Sequence, residues 1–391
     1  MTAAPDFPQA RTCPYHPAPG YAAFRDGQPL HRATLHDGRQ TWVVSGHAEA
    51  RHLLADPRVS ADRERDGFPF TSDRFVDINY QAPSFITQDD PQHSRIRRML
   101  IPEFTARRLK DLEPGIQETV DAAIDNLLAA GPPADLVTHF SLPIPSMVIC
   151  RLLGVPYEDH GFFEQQSREI MRGGADENTQ ALMAVAGYLT AMAEDPPPGL
   201  IARLKAGHVD TGELTTQELA FNAMLLLVAG HETTASLLSL AVITLLEHPG
   251  ELALMREHPR MVPGAVDELL RYLSILDDGP ARIATQDIEI GGVTIKAGDG
   301  VIVVNSVVNR DPAVFADPDR FDVTRSARHH LAFGYGVHQC LGQNLARMEI
   351  GLALSALFDQ VPTLRPAVPV EELNLRDATM IQGVGSLPVT W

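Results

Sequence analysis

The chain has 391 residues, 44% of them hydrophobic and 21% charged, with 32 lysines and arginines against 50 aspartates and glutamates for a formal net charge of -18. That balance argues against a nucleic-acid partner, whose footprint is basic, and leaves ample apolar material for a core. Three widely separated cysteines, Cys13, Cys150 and Cys340, make neither a disulfide framework nor a zinc pattern, as expected in a reducing, cytoplasmic setting.

In chain order, residues 1–8 lack a basic stretch followed by an apolar one, so no signal peptide or membrane anchor is expected there. Residues 41–44 read as a strand. In 90–98 a helix is expected after Pro91, with His93 and Arg97 at i and i+4 on one face. Arg95, Arg97, Arg98, Arg107, Arg108 and Lys110 then form a cationic cluster with only Glu103 among them, either a solvated face or a partner site. Helical periodicity runs over 109–130, and 194–199 (Glu-Asp-Pro-Pro-Pro-Gly) reads as a rigid turn between helices. A long apolar helix follows over 216–247, the nearest approach to a membrane span, but His231-Glu232 interrupts it. Residues 262–273 read as a helix in which Glu268 and Arg271, at i and i+3, can pair. Strands are expected at 288–294, through a Gly291-Gly292 turn, and at 300–304. A last long helix covers 341–358. The pattern as a whole is mainly α with a minor β-sheet region.

Two places break local rules. At 229–234 (Ala-Gly-His-Glu-Thr-Thr) a glycine, an acid and hydroxyls stand in the middle of an apolar helix, where glycine costs about 1 kcal/mol against alanine and a buried carboxylate needs a partner. Thr233 can hydrogen-bond the Ala229 carbonyl four residues back and bend the helix, and Gly230 leaves room beside the bend. A zinc-protease motif fails here, because position 235 is alanine rather than histidine. The second place is Phe333-Gly334-Tyr335-Gly336-Val337-His338-Gln339-Cys340-Leu341-Gly342. Three glycines frame a cysteine at the start of a helix, whose N-terminal dipole favours a thiolate, hence a nucleophile or a metal ligand. A dinucleotide fingerprint is disfavoured, since its third glycine would fall at Gln339.

The spacing from Phe333 to Gly342 closely resembles the haem-thiolate signature of the cytochrome P-450 family, and the resemblance runs over nearly the whole chain. It implies a single triangular domain over residues 1–391, holding haem b with Cys340 as the axial iron ligand. It implies that Glu232 and Thr233 form the acid–alcohol pair that relays protons during oxygen activation. It places Ala229, Gly230, Phe333, Gly334, Gly342 and Ala346 at the cofactor, with His93, Arg97, Arg282 and His338 serving its propionates. It also implies a buried structural network of Glu268 and Arg271 with Arg320, in 318–321 (Pro-Asp-Arg-Phe), that holds the loop presenting Cys340.

The function expected is that of a soluble, monomeric, actinobacterial-type monooxygenase. It would hydroxylate or epoxidise a small apolar substrate, such as a polyketide, macrolide or terpenoid, using O2. Electrons would come from a ferredoxin and its NAD(P)H-dependent reductase, with the acidic ferredoxin drawn to the cationic cluster. The same resemblance leaves two rivals, a peroxide-driven haem enzyme of this fold and a haem sensor or carrier without turnover. Substrate contact is expected in four segments, roughly 62–85, 165–192, 276–280 and 379–383.

Overall fold

The structure, a computed structural model, describes residues 4–25, 27–72, 84–172, 175–277, 279–376 and 381–391. Of the segments expected to meet substrate, residues 73–83, 173–174, 278 and 379–380 lie outside the described residues. The first helices are α1 (His47–Ala55), α2 (Gln92–Leu100), α3 (Ala106–Ala130), α4 (Pro143–Leu153), α5 (His160–Arg172) and α6 (Ala175–Glu194). They are followed by α7 (Leu200–Leu204), α8 (Thr216–Glu247), α9 (Pro249–Glu257), α10 (Val262–Leu273), α11 (Asn305–Val308) and α12 (Gln343–Gln360). Short strands complete the fold, which is mainly α with minor sheets. The chain divides into two compact units, one of Met1–Phe75, Leu240–Cys340 and Pro369–Gly385, the other of Val76–Ser239, Leu341–Val368 and Ser386–Trp391.

The first unit is built on a five-stranded sheet of β1 (Leu30–Thr34), β2 (Gln40–Val44), β3 (Val59–Ser60), β4 (Ala281–Ala284) and β5 (Gly300–Val303), in the order β1-β2-β5-β4-β3. Only the β2–β5 pair is parallel. Side-chain alternation gives the sheet two apolar faces. Trp42, Val44, Val301 and Val303 pack with Leu53 and Leu54 of α1, while Val43 and Ile302 pack with Phe7, Tyr21 and Phe24. The expected glycine turn is present: Gly291 and Gly292, at φ 56 and 78, join Ile288–Ile290 to Val293–Ile295 in a hairpin.

A buried ion pair organises the rest of this unit. Arg271 donates Nε to Glu268 Oε2 at 2.7 Å and Nη2 to Oε1 at 2.8 Å, and both side chains are wholly buried. The remaining guanidinium hydrogens reach backbone carbonyls of Asn309 (3.0 Å), Pro318 (2.8 Å) and Arg320 (3.2 Å). Here the sequence reading is corrected. Arg320 contributes its carbonyl oxygen, and its side chain is exposed. The cation that completes the pair is Arg325, whose Nε donates to Glu268 Oε1 at 3.2 Å. The turn at 317–320 supplies carbonyls to Arg271, which leaves the side chain of Arg320 outside and lets the chain double back to present Arg325.

The second unit is mostly helical. Helix α3 carries a stripe of buried Leu109, Ile116, Val120, Ala123, Ile124 and Leu127 at three- and four-residue spacing and packs against α4 and α12. The turn expected at 194–199 joins α6 to α7. Its Gly199 sits so close to the end of α4 that a Cβ there would lie 2.5 Å from the Leu153 carbonyl oxygen. Helix α8 starts with a capping box, in which Glu218 N donates to Thr215 Oγ1 at 3.1 Å and Thr215 N to Glu218 Oε2 at 2.9 Å. It is the one helix among the described residues long and apolar enough to cross a membrane, yet 78% of its apolar window is buried in the protein. An apolar surface all round is what a core helix requires.

The corrected network makes a direct prediction. Arg325→Ala should cost about 1–3 kcal/mol, because it strips a charged hydrogen bond from a buried carboxylate. Arg320→Ala should stay within about 0.5 kcal/mol, as an exposed side chain does. Urea unfolding midpoints of the two variants decide between the two arginines, and equal losses would contradict the geometry.

Candidate functional site

The loop bearing Cys340 hangs from the Glu268–Arg271 pair through one asparagine. Asn309 gives its carbonyl to Arg271, while its side-chain Oδ1 accepts from Leu331 N at 2.6 Å and its Nδ2 donates to Ser274 Oγ at 2.8 Å. From Leu331 the chain turns tightly, with Gly334 N donating to the Leu331 carbonyl and Cys340 N to the Phe333 carbonyl, both at 2.8 Å. Gly334 and Gly336 adopt φ 68 and 74, a left-handed region open chiefly to glycine. Gly336 is also a close approach, since a Cβ there would lie 2.3 Å from the Leu54 carbonyl oxygen of α1. Arg51 of α1 clamps the same loop. Its guanidinium lies 4.5 Å from the Tyr335 ring centroid and donates to the Tyr335 hydroxyl at 2.9 Å.

The outcome is an exposed Cys340 on a tightly held loop. Cys150 is the opposite case, buried with its thiol pushed up to about 12 by that burial, as an inert core cysteine should be. Phe333, Gly334 and His338 are half-buried around Cys340, and Arg282 is half-buried on β4, its Nη1 donating to the Ala281 carbonyl at 2.7 Å.

In the second unit the structure keeps the expected constellation at 229–234. Thr233 Oγ1 donates to the Ala229 carbonyl at 2.6 Å. Glu232 and His231 are buried, but Ala229 is exposed and Leu225, Val228, Gly230 and Thr233 are half-buried, in the middle of an otherwise buried helix. A Cβ on Gly230 would meet only the Ile149 side chain, at 3.3 Å and beyond. This face of α8 is therefore open, narrow-sided and apolar. His93 and Arg97 share a face of α2, with His93 buried beside Phe85 and its Nδ1 within 3.5 Å of Asp90 Oδ1, and Arg97 half-buried. Gly342 precedes α12, where Ala346 N donates to its carbonyl at 2.9 Å.

These residues suit a flat apolar cofactor that brings its own metal. Among the described residues no three histidine, cysteine or acidic side chains gather as a metal cage. The first unit offers an accessible sulfur on a glycine-framed loop, and the second, by itself, offers an open small-residue helix face and a histidine and an arginine on one face of α2; each is chemistry that a metallated macrocycle uses.

The cationic cluster needs revision. Arg95 is engaged by Glu218 and by the Glu213 carbonyl, the latter at 2.7 Å. Arg108 lies 3.9 Å from Glu103, whose carboxylate is held chiefly by Arg203. Arg98, Arg107 and Lys110 are exposed and form no ion pair among the described residues. Reading the sequence alone missed Glu213, Glu218 and Arg203 because they are distant in the chain. It missed Asn309 and Arg325 for the same reason, although a polar Asn305-Ser306…Asn309-Arg310 run directly after an apolar strand is a signal that could have been used.

Comparison with known proteins fits this geometry. A model of the family described as cytochrome P450 matches residues 191–361. Vitamin D3 dihydroxylase of Streptomyces griseolus is 56% identical across 100% of this chain and 98% of its own length. Pentalenic acid synthase of Streptomyces avermitilis is 52% identical across 98% of this chain and 97% of its own. The crystal structure of mycinamicin VIII C21 methyl hydroxylase from Micromonospora griseorubida, bound to mycinamicin VIII, superposes with a TM-score of 0.93 at 44% identity, covering 99% of this chain and 100% of that one. The chain belongs to the cytochrome P450 family. It is a haem-thiolate monooxygenase whose cofactor is iron protoporphyrin IX.

The close contact at Gly336 can be tested. Gly336→Ala adds about 1–2 kcal/mol of left-handed backbone strain and a clash with fixed backbone. Gly334→Ala meets only Pro280 at 3.9 Å and carries the strain alone. Haem-to-protein ratios after purification should fall well below one for Gly336→Ala and stay near the wild-type ratio for Gly334→Ala.

Proposed function

We propose that the protein hydroxylates or epoxidises a small apolar organic substrate with O2, taking electrons one at a time from a ferredoxin served by an NAD(P)H-dependent reductase. The observation that carries this reading is the exposed Cys340 on its glycine-framed, Asn309-suspended loop. Haem, when bound, supplies the oxygen-activating chemistry, and the protein supplies binding, orientation and electrostatics. Cys340 would supply the sulfur that holds its iron. Phe333, Gly334, Gly342 and Ala346, and on α8 Ala229 and Gly230, would give the macrocycle backbone and small side chains to lie against. His93, Arg97, Arg282 and His338 would hold the propionates, where charged hydrogen bonds are strongest. The relatives named above are named for vitamin D3, pentalenic acid and mycinamicin VIII, small organic molecules, which supports the substrate class.

Thr233 and Glu232 are assigned to proton delivery. The Thr233 hydroxyl hydrogen is committed to the Ala229 carbonyl, so its oxygen lone pairs are left to accept a hydrogen bond from water or substrate oxygen. Glu232 is buried one residue away and can pass a proton to such a water. That pair favours O2 over peroxide as the oxidant. The acidic ferredoxin needs a local patch of opposite sign on a protein of net charge -18, and Arg98, Arg107 and Lys110 are the cations left for it. The proposal also takes residues 1–391 as one functional domain, supported by relatives matched over nearly their whole length, and places it in the cytoplasm as a monomer.

Two measurements test the assignment. The reduced, CO-bound protein should show the long-wavelength Soret band of thiolate ligation, and turnover should require ferredoxin, reductase, NADPH and O2 together. A Cys340→His variant that kept that band would sink the ligand assignment. Thr233→Ala should retain haem and go on consuming NADPH, but divert most reducing equivalents to hydrogen peroxide. Unchanged coupling of NADPH to product would remove Thr233 from the proton path.

A further inference from the structure

A second route leads from α10 to the cysteine loop, and it starts one residue before Glu268. Asp267 is buried, and its Oδ1 lies 3.4 Å from Nε2 of His330, a buried histidine on the stretch that runs to Cys340. Ala332 N donates to the other ring nitrogen, Nδ1, at 3.1 Å. A ring nitrogen that accepts carries no proton, so the imidazole is neutral and its N–H is on Nε2, aimed at the carboxylate. The His330 ring lies 5.7 Å from the Phe333 ring at 50°, and the Phe333 carbonyl accepts from Cys340 N at 2.8 Å. Asp267, His330, Phe333 and the Cys340 amide thus form an unbroken line of contacts inside the first unit.

The chemistry of this line exceeds what support requires. The Glu268–Arg271 pair already suspends the loop through Asn309, and burying a second carboxylate beside the first is costly unless it is compensated. Glu268 is met by Arg271 and Arg325, whose side chains are 0% and 12% exposed. Asp267 faces a neutral imidazole and, 3.7 Å away, the Nε of Arg328, whose side chain is 82% exposed. A counter-charge so far into water offsets less of a buried charge than one held inside. Apolar side chains would brace Phe333 at lower cost. What the carboxylate adds is negative charge behind the turn that presents the sulfur.

We infer that Asp267 and His330 are positioning residues for Cys340, holding the Phe333 turn and placing behind it a negative charge that favours the ferric over the ferrous state of bound haem. Ferric iron carries one positive charge more than ferrous iron, so a carboxylate nearby stabilises it and opposes the one-electron reduction by ferredoxin. The inference rests on the haem-thiolate reading and deepens it by assigning residues that regulate the first electron.

The test holds the haem-loaded full chain at a fixed electrode potential with soluble mediators and reads the ferrous-to-ferric ratio from the visible spectrum, with urea unfolding midpoints measured alongside. Asp267→Asn keeps an acceptor for the His330 N–H and removes the charge, so the ratio should rise by about 10-fold, the order of one charge lost from a protein interior. Arg328→Gln removes an exposed cation and should lower the ratio by about 2-fold, an effect that fades at high salt. His330→Leu takes a donor from the buried carboxylate, which favours its protonated form, and should shift the ratio in the same direction as Asp267→Asn. His330→Gln, which can still donate to Asp267, should stay near the wild-type ratio. Lower midpoints with unchanged ratios would make the pair a brace only and overturn the proposal, as would shifts of the same sign for Asp267→Asn and Arg328→Gln. If Asp267→Asn fails to take up haem, the shift in Arg328→Gln decides alone. Failure of the underlying reading shows separately, as a wild type whose reduced, CO-bound form lacks the long-wavelength Soret band.

Discussion

The first unit depends on burying one guanidinium. Arg271 has five N–H donors and no exposed surface, so each must find an acceptor inside the protein. Glu268 takes two, and the carbonyls of Asn309, Pro318 and Arg320 take the other three. Those carbonyls come from a stretch with little regular structure, and the demand of one side chain fixes its path. Removing either partner leaves an uncompensated buried charge, which typically costs 3–5 kcal/mol. The same requirement reaches the chemistry, because Asn309 ties Arg271 by its backbone and the Cys340 loop by its side chain. A surface pair at the same i, i+3 spacing would be worth a few tenths of a kcal/mol and could organise nothing.

In the second unit the matching constraint is a helix that violates its own propensities. Leucine and valine bury α8 over most of its length, and the capping box at Thr215 and Glu218 fixes where it begins. Against that stable frame, Ala229 and Gly230 expose backbone, and Thr233 bonds the Ala229 carbonyl rather than presenting its proton outward. Packing elsewhere along the helix makes the local weakness tolerable. Sites that break local rules inside a well-supported element are where function is expected.

What was legible in the sequence follows from periodicity. Thr216–Glu247 and Val262–Leu273 have the limits the apolar spacing predicts, because each is long and either wholly or one-sidedly buried. The hairpin at Gly291-Gly292 was legible because two positive φ angles require those residues. Two-residue strands such as Val59–Ser60 carry no period to detect and exist only because β4 pairs with them. The last long helix begins at Gln343 rather than Leu341, since Leu341 and Gly342 finish the turn that exposes Cys340. Arg320 and Arg325 could not be separated by pattern, because the choice turns on which backbone carbonyls face inward in an aperiodic loop. The chemical residues were more visible than the fold that positions them, since chemistry forces rare residue types into places where propensity disfavours them.

The same accounting changes how the net charge of -18 should be understood. Arg11, Arg271 and Arg310 are buried, each bound to carboxylates and carbonyls inside the first unit. Arg95 and Arg203 are drawn into pairs with Glu218 and Glu103. The acids buried with them are more numerous, Glu103, Glu232, Asp267, Glu268, Asp277 and Glu349 among the described residues, so the interior holds part of the negative charge and the exterior is no more negative than the composition suggests. An acidic protein approaching a chain of net charge -18 meets net repulsion, which at physiological ionic strength is screened beyond a Debye length of about 8 Å. Arg98, Arg107 and Lys110 are exposed cations without an ion pair among the described residues, and exposed charges of that kind bear on the orientation and rate of an encounter more than on its affinity. The internal charge network and the external selectivity of encounter are two consequences of where the arginines are spent.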